Sequence, residues 1–236
     1  MTKQPVLSIK SLKEQVYDYL RDQMQKGAIR PGSAINMDET CRKLGVSKTP
    51  LREALLQLEM EDFVTILPRR GIIVNILTLE DIKDFYDIIG ALEAKALASS
   101  FSQLKPSDIK TMQTLIEGME NALAKDDFDL YYERNLRFHD VYLKPCRNET
   151  LLKVVNTVKK RLYDFPRKAR FVKEWELASV VEHREFLGLI REGRREAALR
   201  FVEEVHWSYK VQERYIKKYY AAVEQGAAKE RSKGDR

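Results

Sequence analysis

The side chains best suited to chemistry are three histidines in the second half of the chain, His139, His183 and His206. Each recurs at helical spacing with apolar or aromatic residues, so each imidazole is predicted to face the interior of a helical bundle. Asn135 stands one turn before His139 on the same face. Because bundles build metal sites from side chains on facing helices, convergence would produce such a site. Taken singly, a histidine on an apolar face is more often a hydrogen-bonded core residue, and this alternative stays open.

A second chemical feature is the stretch 44–58, which reads LGVSKTPLREALLQL. Thr49 can cap a helix and Pro50 suits the first helical position. The apolar residues then recur at i, i+3, i+4 and i+7, which predicts one buried face: Leu51, Ala54, Leu55 and Leu58. Lys48, Thr49 and Arg52 lie at the start of the helix on its other side. Cationic and hydroxyl groups in a first helical turn suit entry into the major groove of DNA.

The elements around this helix predict a winged helix-turn-helix domain over residues 1–76. Helices are expected at 11–26, 38–44 and 49–61, with Ser11 and Glu14 as a capping box and Gly45 ending the second helix. Strands are expected at 63–67 and 72–76, joined by a tight turn. That turn places Arg69, Arg70 and Gly71 at the tip of the wing, where they could approach the phosphate backbone or a narrow minor groove.

Residues 77–224 are predicted to form an antiparallel all-α bundle, so the fold class is mainly α. Thr78 is a plausible helix cap, and helical stripes follow at 79–101, 107–125, 127–143, 148–165, 173–192 and 194–224. Short breaks between long helices are typical of antiparallel neighbours. The last stretch, 225–236, is polar and is expected to be a frayed tail.

Composition excludes several classes of protein. The 236 residues are 44% hydrophobic, enough for a core, but no apolar run is long enough to span a membrane. No signal peptide is recognised at the start, and two distant cysteines fit neither a zinc motif nor a disulfide framework, so a cytoplasmic location is expected. The net charge of +6 permits a polyanionic partner without requiring one, because the surplus within residues 1–76 is small.

The chain resembles the GntR family of bacterial transcription regulators. The resemblance rests on Glu14-Gln15-Val16, Pro31-Gly32, the segment 44–55 (LGVSKTPLREAL) and Arg69-Arg70-Gly71. The helical remainder resembles the FCD effector domain of the FadR subfamily. The resemblance implies DNA contacts by Ser47, Lys48, Thr49, Arg52 and the Gly71 region of the wing. Arg52 matches an arginine that reads guanine, whereas Lys48 replaces the usual arginine with a point charge.

The resemblance also implies that His139, His183 and His206 hold a divalent metal, with Asn135 at the position of the family's acidic ligand. A neutral amide with three imidazoles favours zinc or nickel over magnesium. An effector, such as a small organic acid, would bind beside the metal. The arginine that members often carry four residues before Glu93 is Ile89 here, which argues against the common carboxylate effector. Other residues proposed for the effector pocket are Tyr132, Asn156 and Arg161.

We therefore predict a homodimeric, ligand-responsive regulator, most simply a repressor, that binds a palindromic double-stranded operator. No general base or nucleophile stands at a workable spacing, so an enzyme is not expected. Two alternatives remain open. One is a metal-dependent enzyme acting on small organic acids, fused to a winged helix. The other is a regulator without metal, in which the cavity binds an acyl-type ligand and the histidines only form hydrogen bonds.

Overall fold

The computed structural model of the chain describes residues 10–163 and 172–219. The predicted tail at 225–236 and the ends of two predicted helices, beyond 163 and beyond 219, lie outside these residues. The described chain divides into two compact units. One holds the residues up to Leu77 together with the end of a bundle helix from Lys160 onward, and the other holds Thr78–Lys159 and the residues from 172 to 219.

The N-terminal unit is a three-helix domain with a small antiparallel sheet. Its elements are α1 (Leu12–Gln25), β1 (Ala34–Ile35), α2 (Met37–Leu44), α3 (Lys48–Met60), β2 (Val64–Leu67) and β3 (Gly71–Val74). The central strand of the sheet is β3, which pairs with β1 and β2 on its two sides. The two-residue β1 was not predicted from the sequence. Its partner in the sheet lies almost forty residues away, with Ile35 opposite Ile72.

Local signals placed most of these boundaries correctly. Ser11 and Glu14 form the predicted capping box of α1, and Gly45 ends α2 with a φ of 65°. The prediction of Thr49 as the cap of α3 is wrong by two residues, and the helix starts one residue earlier than predicted. Ser47 is the N-cap, without a side-chain cap bond, and the helix begins at Lys48. Pro50 therefore lies inside the first turn, where a missing N–H is tolerated because the first four N–H groups have no helical partner.

The second unit is all helical. Its elements are α4 (Leu79–Ser100), α5 (Pro106–Ala124), α6 (Phe128–Leu143), α7 (Glu149–Tyr163), α8 (Lys173–Arg191), α9 (Arg195–Phe201) and α10 (209–219). Short connections between α5 and α6 and between α8 and α9 turn the chain back on itself, as the predicted bundle requires. Large side chains from α4, α5 and α6 fill the core, among them Ile89, Met112, Ile116, Phe138 and Tyr142. Within residues 10–163 and 172–219, no helix is both long and apolar enough to cross a membrane.

The continuous helix predicted over 194–224 is interrupted in the structure. A five-residue π-helical segment, Val202–His206, follows α9, and a turn at Trp207 precedes α10. The amide of Trp207 donates to the carbonyl of Val202, five residues back. The segment packs closely on α4 at Gly90, where an added Cβ would lie 3.1 Å from Cβ of Trp207. This tertiary contact is invisible to a search for 3.6-residue periodicity, and π-turns of this kind often mark functional sites.

Candidate metal centre and DNA-binding surface

The three histidines meet inside the second unit. His139 comes from α6, His183 from α8 and His206 from the end of the π-helical segment. Each offers one ring nitrogen such that the three atoms lie within 4.8 Å of one another. His139 and His183 are buried, and His206 is nearly so. The structure therefore brings together the side chains that periodicity predicted to face inward.

The outer nitrogen of His139 is held by a buried carboxylate. Nδ1 of His139 lies 3.1 Å from Oε2 of Glu93 on α4. The same carboxylate accepts the Tyr142 hydroxyl at 2.5 Å and the Trp207 indole N–H at 2.9 Å. Lys159 forms an ion pair with its other oxygen. Glu93 is fully buried, and this set of donors compensates for the loss of its hydration.

A second carboxylate holds the outer nitrogen of His206. Nδ1 of His206 lies 2.8 Å from Oε2 of Glu182, which is on α8. Oε1 of Glu182 accepts the side-chain amide of Gln212 on α10 at 2.7 Å. The inner nitrogens, Nε2 of His206 and Nε2 of His139, are 3.3 Å apart. Outer hydrogen bonds of this type are usual for histidines that bind metals, because they fix the ring orientation and the tautomer.

His183 and Asn135 differ from these two histidines. Among the described residues, neither ring nitrogen of His183 has a hydrogen-bond partner, and neither does Oδ1 of Asn135. Both side chains are buried. The ring of His183 packs on Phe138, with 4.4 Å between the ring centroids, but this contact does not satisfy the nitrogens. Buried polar atoms without partners are rare in native proteins and call for an unseen water or ion.

The electrostatics of the cluster favour neutral imidazoles. Burial and the nearby Lys159 lower the pKa of His139 to about 4, although Glu93 acts in the opposite direction. Burial, followed by the other two histidines, holds the pKa of His183 well below its usual range. Burial alone would raise the pKa of Glu93, but Lys159 and His139 outweigh it and hold the pKa of this carboxyl well below its usual range. At neutral pH the buried rings therefore keep a lone pair for a ligand.

These residues fit a nitrogen-binding divalent metal. Two ligand nitrogens at zinc–nitrogen distances and tetrahedral angles would be about 3.3 Å apart, as the inner nitrogens of His139 and His206 are. The unpartnered nitrogens of His183 supply a further donor. Three imidazoles therefore form a nitrogen donor set that could hold a divalent metal ion.

The residues predicted to contact DNA all lie on the surface of the N-terminal unit. Ser47, Lys48, Thr49 and Arg52 are exposed at the start of α3, and Arg69, Arg70 and Gly71 are exposed at the wing tip. Beneath them, the opposite face of α3 is buried through Leu51, Ala54, Leu55 and Leu58. Lys48 forms an ion pair with Asp38 of α2, with 2.7 Å between Nζ and Oδ1. In the DNA-free protein, the ammonium group of Lys48 is therefore paired with a carboxylate of the neighbouring helix.

The three residues predicted for the effector pocket differ in burial and in surroundings. Tyr132 is half-buried on α6, and Asn156 is exposed on α7. The Arg161 side chain belongs to the N-terminal unit, where its Nε lies 3.5 Å from Asp62 and its guanidinium lies over the ring of Phe63. The helical pattern of α7 could not indicate that consecutive residues near its end serve different units.

Comparisons with known proteins agree with this architecture. The family model for bacterial regulatory proteins of the gntR family matches residues 12–74, and that for the FCD domain matches residues 84–205. An uncharacterised HTH-type transcriptional regulator of Agrobacterium vitis is 32% identical over 127 residues, covering 52% of this chain and 74% of that protein. The HTH-type transcriptional regulator McbR of Escherichia coli is 30% identical over 128 residues, covering 54% of this chain and 58% of McbR.

A solved structure shares the fold over most of the chain. The structure of E. coli McbR/YncC aligns with a TM-score of 0.66 at 22% identity, covering 91% of this chain and 100% of that one. Together with the two matched domains, this confirms the fold class and the family that the sequence motifs indicated. The chain belongs to the GntR family of bacterial transcriptional regulators and carries a C-terminal FCD effector-binding domain.

Proposed function

We propose that this regulator binds a divalent metal ion through His139, His183 and His206, with Asn135 as a fourth donor, and that a small-molecule effector binds beside the metal. The supporting observation is the convergence of three imidazole nitrogens from three helical segments, within 4.8 Å of one another. Zinc or nickel is the proposed ion because the donors are neutral and mostly nitrogen. When bound, the metal would supply a positive centre that accepts an oxygen ligand.

The charges of the site indicate which chemical class of effector would bind. All four proposed ligands are neutral, and the buried Glu93 carboxylate is already matched by Lys159. Glu182, behind His206, would compensate only part of the charge of the ion, which favours an effector that brings an anionic oxygen. Ile89 is buried on α4 and offers no second cation for that anion. We therefore infer an organic acid anchored by the metal, with the half-buried Tyr132 as a neighbouring contact.

The exposed face of α3 supports binding to DNA. We infer that two copies of the chain form a homodimer whose α3 helices enter successive major grooves of a palindromic operator. Arg52 would read a guanine through its forked guanidinium, and Ser47, Lys48, Thr49 and the wing residues Arg69, Arg70 and Gly71 would position the domain on the backbone. An effector changes affinity only by binding two arrangements of the dimer unequally, and we propose that the default action is repression.

His183→Leu tests the metal centre. Protein purified without an affinity tag or a chelator should contain one zinc or nickel per chain by elemental analysis, and the variant should contain none. Because neither nitrogen of His183 has a partner among the described residues, leucine should also leave the metal-free protein as stable as wild type, or up to about 1–3 kcal/mol more stable.

The same variant separates this proposal from a purely structural histidine. If His183 only formed hydrogen bonds in the core, leucine would destabilise the metal-free protein. Metal content equal in variant and wild type would refute the site. Glu185→Gln is the matched control, because Glu185 is exposed on the same helix.

A further inference from the structure

A chain of hydrogen bonds leads away from His206 to the first turn of α8. The indole N–H of Trp175, in the first turn of α8, donates to Oε1 of Gln212 at 2.9 Å. The amide nitrogen of Gln212 donates to Oε1 of Glu182 at 2.7 Å. Oε2 of Glu182 lies 2.8 Å from Nδ1 of His206. Gln212 is almost fully buried and Glu182 nearly so, so these groups have little access to alternative partners in water.

The chain has a fixed direction because its first member can only donate. An indole N–H has no acceptor capacity, so Trp175 requires the oxygen of the Gln212 amide to face it. The nitrogen of that amide then faces Glu182 and donates to it. A carboxylate accepts, so Nδ1 of His206 must carry a proton, and only Nε2 can offer a lone pair to a metal. This Nε2 is the atom that lies 3.3 Å from Nε2 of His139.

We propose that Trp175, Gln212 and Glu182 form a relay that sets the tautomer of His206 and so keeps its Nε2 available as a metal ligand. This inference rests on the proposed metal function, but the tautomer itself can be observed without metal. All three are positioning residues, since none of them faces the inner nitrogens. The relay also ties α10 to α8 beside the ligand that ends the π-helical segment.

Glu93 makes a similar contact with Nδ1 of His139, but substituting Glu93 would not test the relay cleanly. Glu93 is fully buried against Lys159, so removing its charge would leave a buried cation without a counter-charge and would destabilise the fold. Glu182 accepts from Gln212, which is neutral. A carboxylate-to-amide change at position 182 therefore alters the direction of hydrogen bonding with little change in shape.

Glu182→Gln should reverse the tautomer of His206. The new amide must still accept from Gln212, whose orientation Trp175 fixes, so its NH2 group must face Nδ1 of His206. Nδ1 then becomes an acceptor, and the ring proton moves to Nε2, where it blocks the lone pair. Nitrogen-15 NMR of the metal-free protein at neutral pH should show Nδ1–H in wild type and Nε2–H in the variant. Zinc affinity, measured by competition with a chromophoric chelator, should fall by about 10- to 100-fold.

Two further variants should restore the hydrogen bond that Nδ1–H of His206 donates to residue 182. In Glu182→Gln/Gln212→Glu, the carboxylate at 212 accepts from both Trp175 and the amide at 182, whose oxygen is then left to accept from Nδ1–H. In Trp175→Phe/Glu182→Gln, the amide of Gln212 no longer has an indole N–H to accept from and can rotate. Its oxygen can then accept from the amide at 182, whose own oxygen accepts from Nδ1–H of His206. Phenylalanine keeps an aromatic ring where Trp175 stacks on Tyr215, at an interplanar angle of 8°. Glu185→Gln should change neither measurement.

The outcomes separate the relay from the metal site. A wild-type protein that binds no zinc would refute the proposed function, while its His206 tautomer would still decide the relay. The relay is overturned if Glu182→Gln keeps Nδ1–H on His206, or if neither double variant restores Nδ1–H after it is lost. Restoration of the tautomer and the zinc affinity together would support it, because a merely structural role of Glu182 would not be rescued by moving the charge to position 212.

Discussion

Gly90→Ala should destabilise the second unit, although alanine normally stabilises a helix relative to glycine. Gly90 lies in the interior of α4, where exchange to alanine alone would gain about 1 kcal/mol. Its new Cβ, however, would lie 3.1 Å from Cβ of Trp207 and 3.5 Å from the backbone of Glu203. Both are atoms on or next to the main chain of the π-helical region, so neither can move by rotating a flexible side chain.

The expected size of the effect comes from comparing these two contributions. Overpacking of a tight core contact costs about 1–3 kcal/mol, which cancels or exceeds the gain in helix propensity. Gly188→Ala is the matched control. Gly188 is also helical, on α8, but an added Cβ there would have nothing within 4 Å. We expect Gly188→Ala to stabilise by up to about 1 kcal/mol, and Gly90→Ala to be less stable than this control by about 1–3 kcal/mol.

Thermal unfolding by calorimetry would measure the difference. For a protein of this size, 1 kcal/mol corresponds to a shift in Tm of about 2–4 °C, so the two variants should melt clearly apart. Gly90→Ala should also weaken zinc binding, because His206 precedes Trp207 in the displaced segment. The reasoning is refuted if Gly90→Ala raises Tm as much as Gly188→Ala does, since the close approach to Trp207 would then impose no constraint on the fold.

The remaining predictions concern DNA and pH. An operator can be obtained by selection from random duplexes. Arg52→Ala should reduce the difference in binding free energy between this operator and one with a single changed base pair by about 1–3 kcal/mol. Arg69→Ala should instead weaken binding to all sequences alike and reduce the salt dependence of binding. Equal losses of discrimination in these two variants would contradict the division between base reading and backbone contact. The metal-free protein should lose stability as pH falls from about 6.5 towards 4, because the lowered pKa values of His139 and His183 mean that the unfolded chain takes up protons first. His183→Leu should flatten part of that decline in chemical denaturation at successive pH values, and an unchanged profile would mean that protonation of His183 does not limit stability.

Features set by neighbouring residues were predictable from the sequence, whereas features set by distant contacts were not. The capping box at Ser11 and the left-handed Gly45 depend on residues within one helical turn, and both were predicted correctly. The π-helical interruption at Val202–His206 was missed because it lies against α4 at Gly90, more than a hundred residues earlier in the chain. The contacts of Arg161 with Asp62 and Phe63 were not predicted for a similar reason, since they cannot be read from the sequence of α7.

Of the two carboxylates that contact the histidines, Glu93 was indicated by the sequence and Glu182 was not. Glu93 occupies an apolar stripe of α4 with Tyr86, Ile89 and Leu97, and a charge on such a stripe indicates a buried partner. Glu182 gave no such signal. It precedes His183, but consecutive residues on a helix point about 100° apart, so it cannot serve that histidine. Its partner is His206, at the end of the π-helical segment beyond α9, and this pairing can be seen only in the tertiary structure.

The surroundings of the three histidines help to decide whether they are core residues or metal ligands, which periodicity alone left open. A histidine that only fills the core should satisfy its nitrogens like any other buried polar group. His139 and His206 satisfy their outer nitrogens through Glu93 and Glu182, while their inner nitrogens face each other 3.3 Å apart. His183 satisfies neither nitrogen among the described residues. Leaving a buried polar atom without a partner costs about 1–3 kcal/mol, so a ligand that engages His183 would stabilise the folded unit as it binds. The bonded outer nitrogens of His139 and His206, together with the two nitrogens of His183 that have no partner among the described residues, favour a metal centre over three independent core histidines.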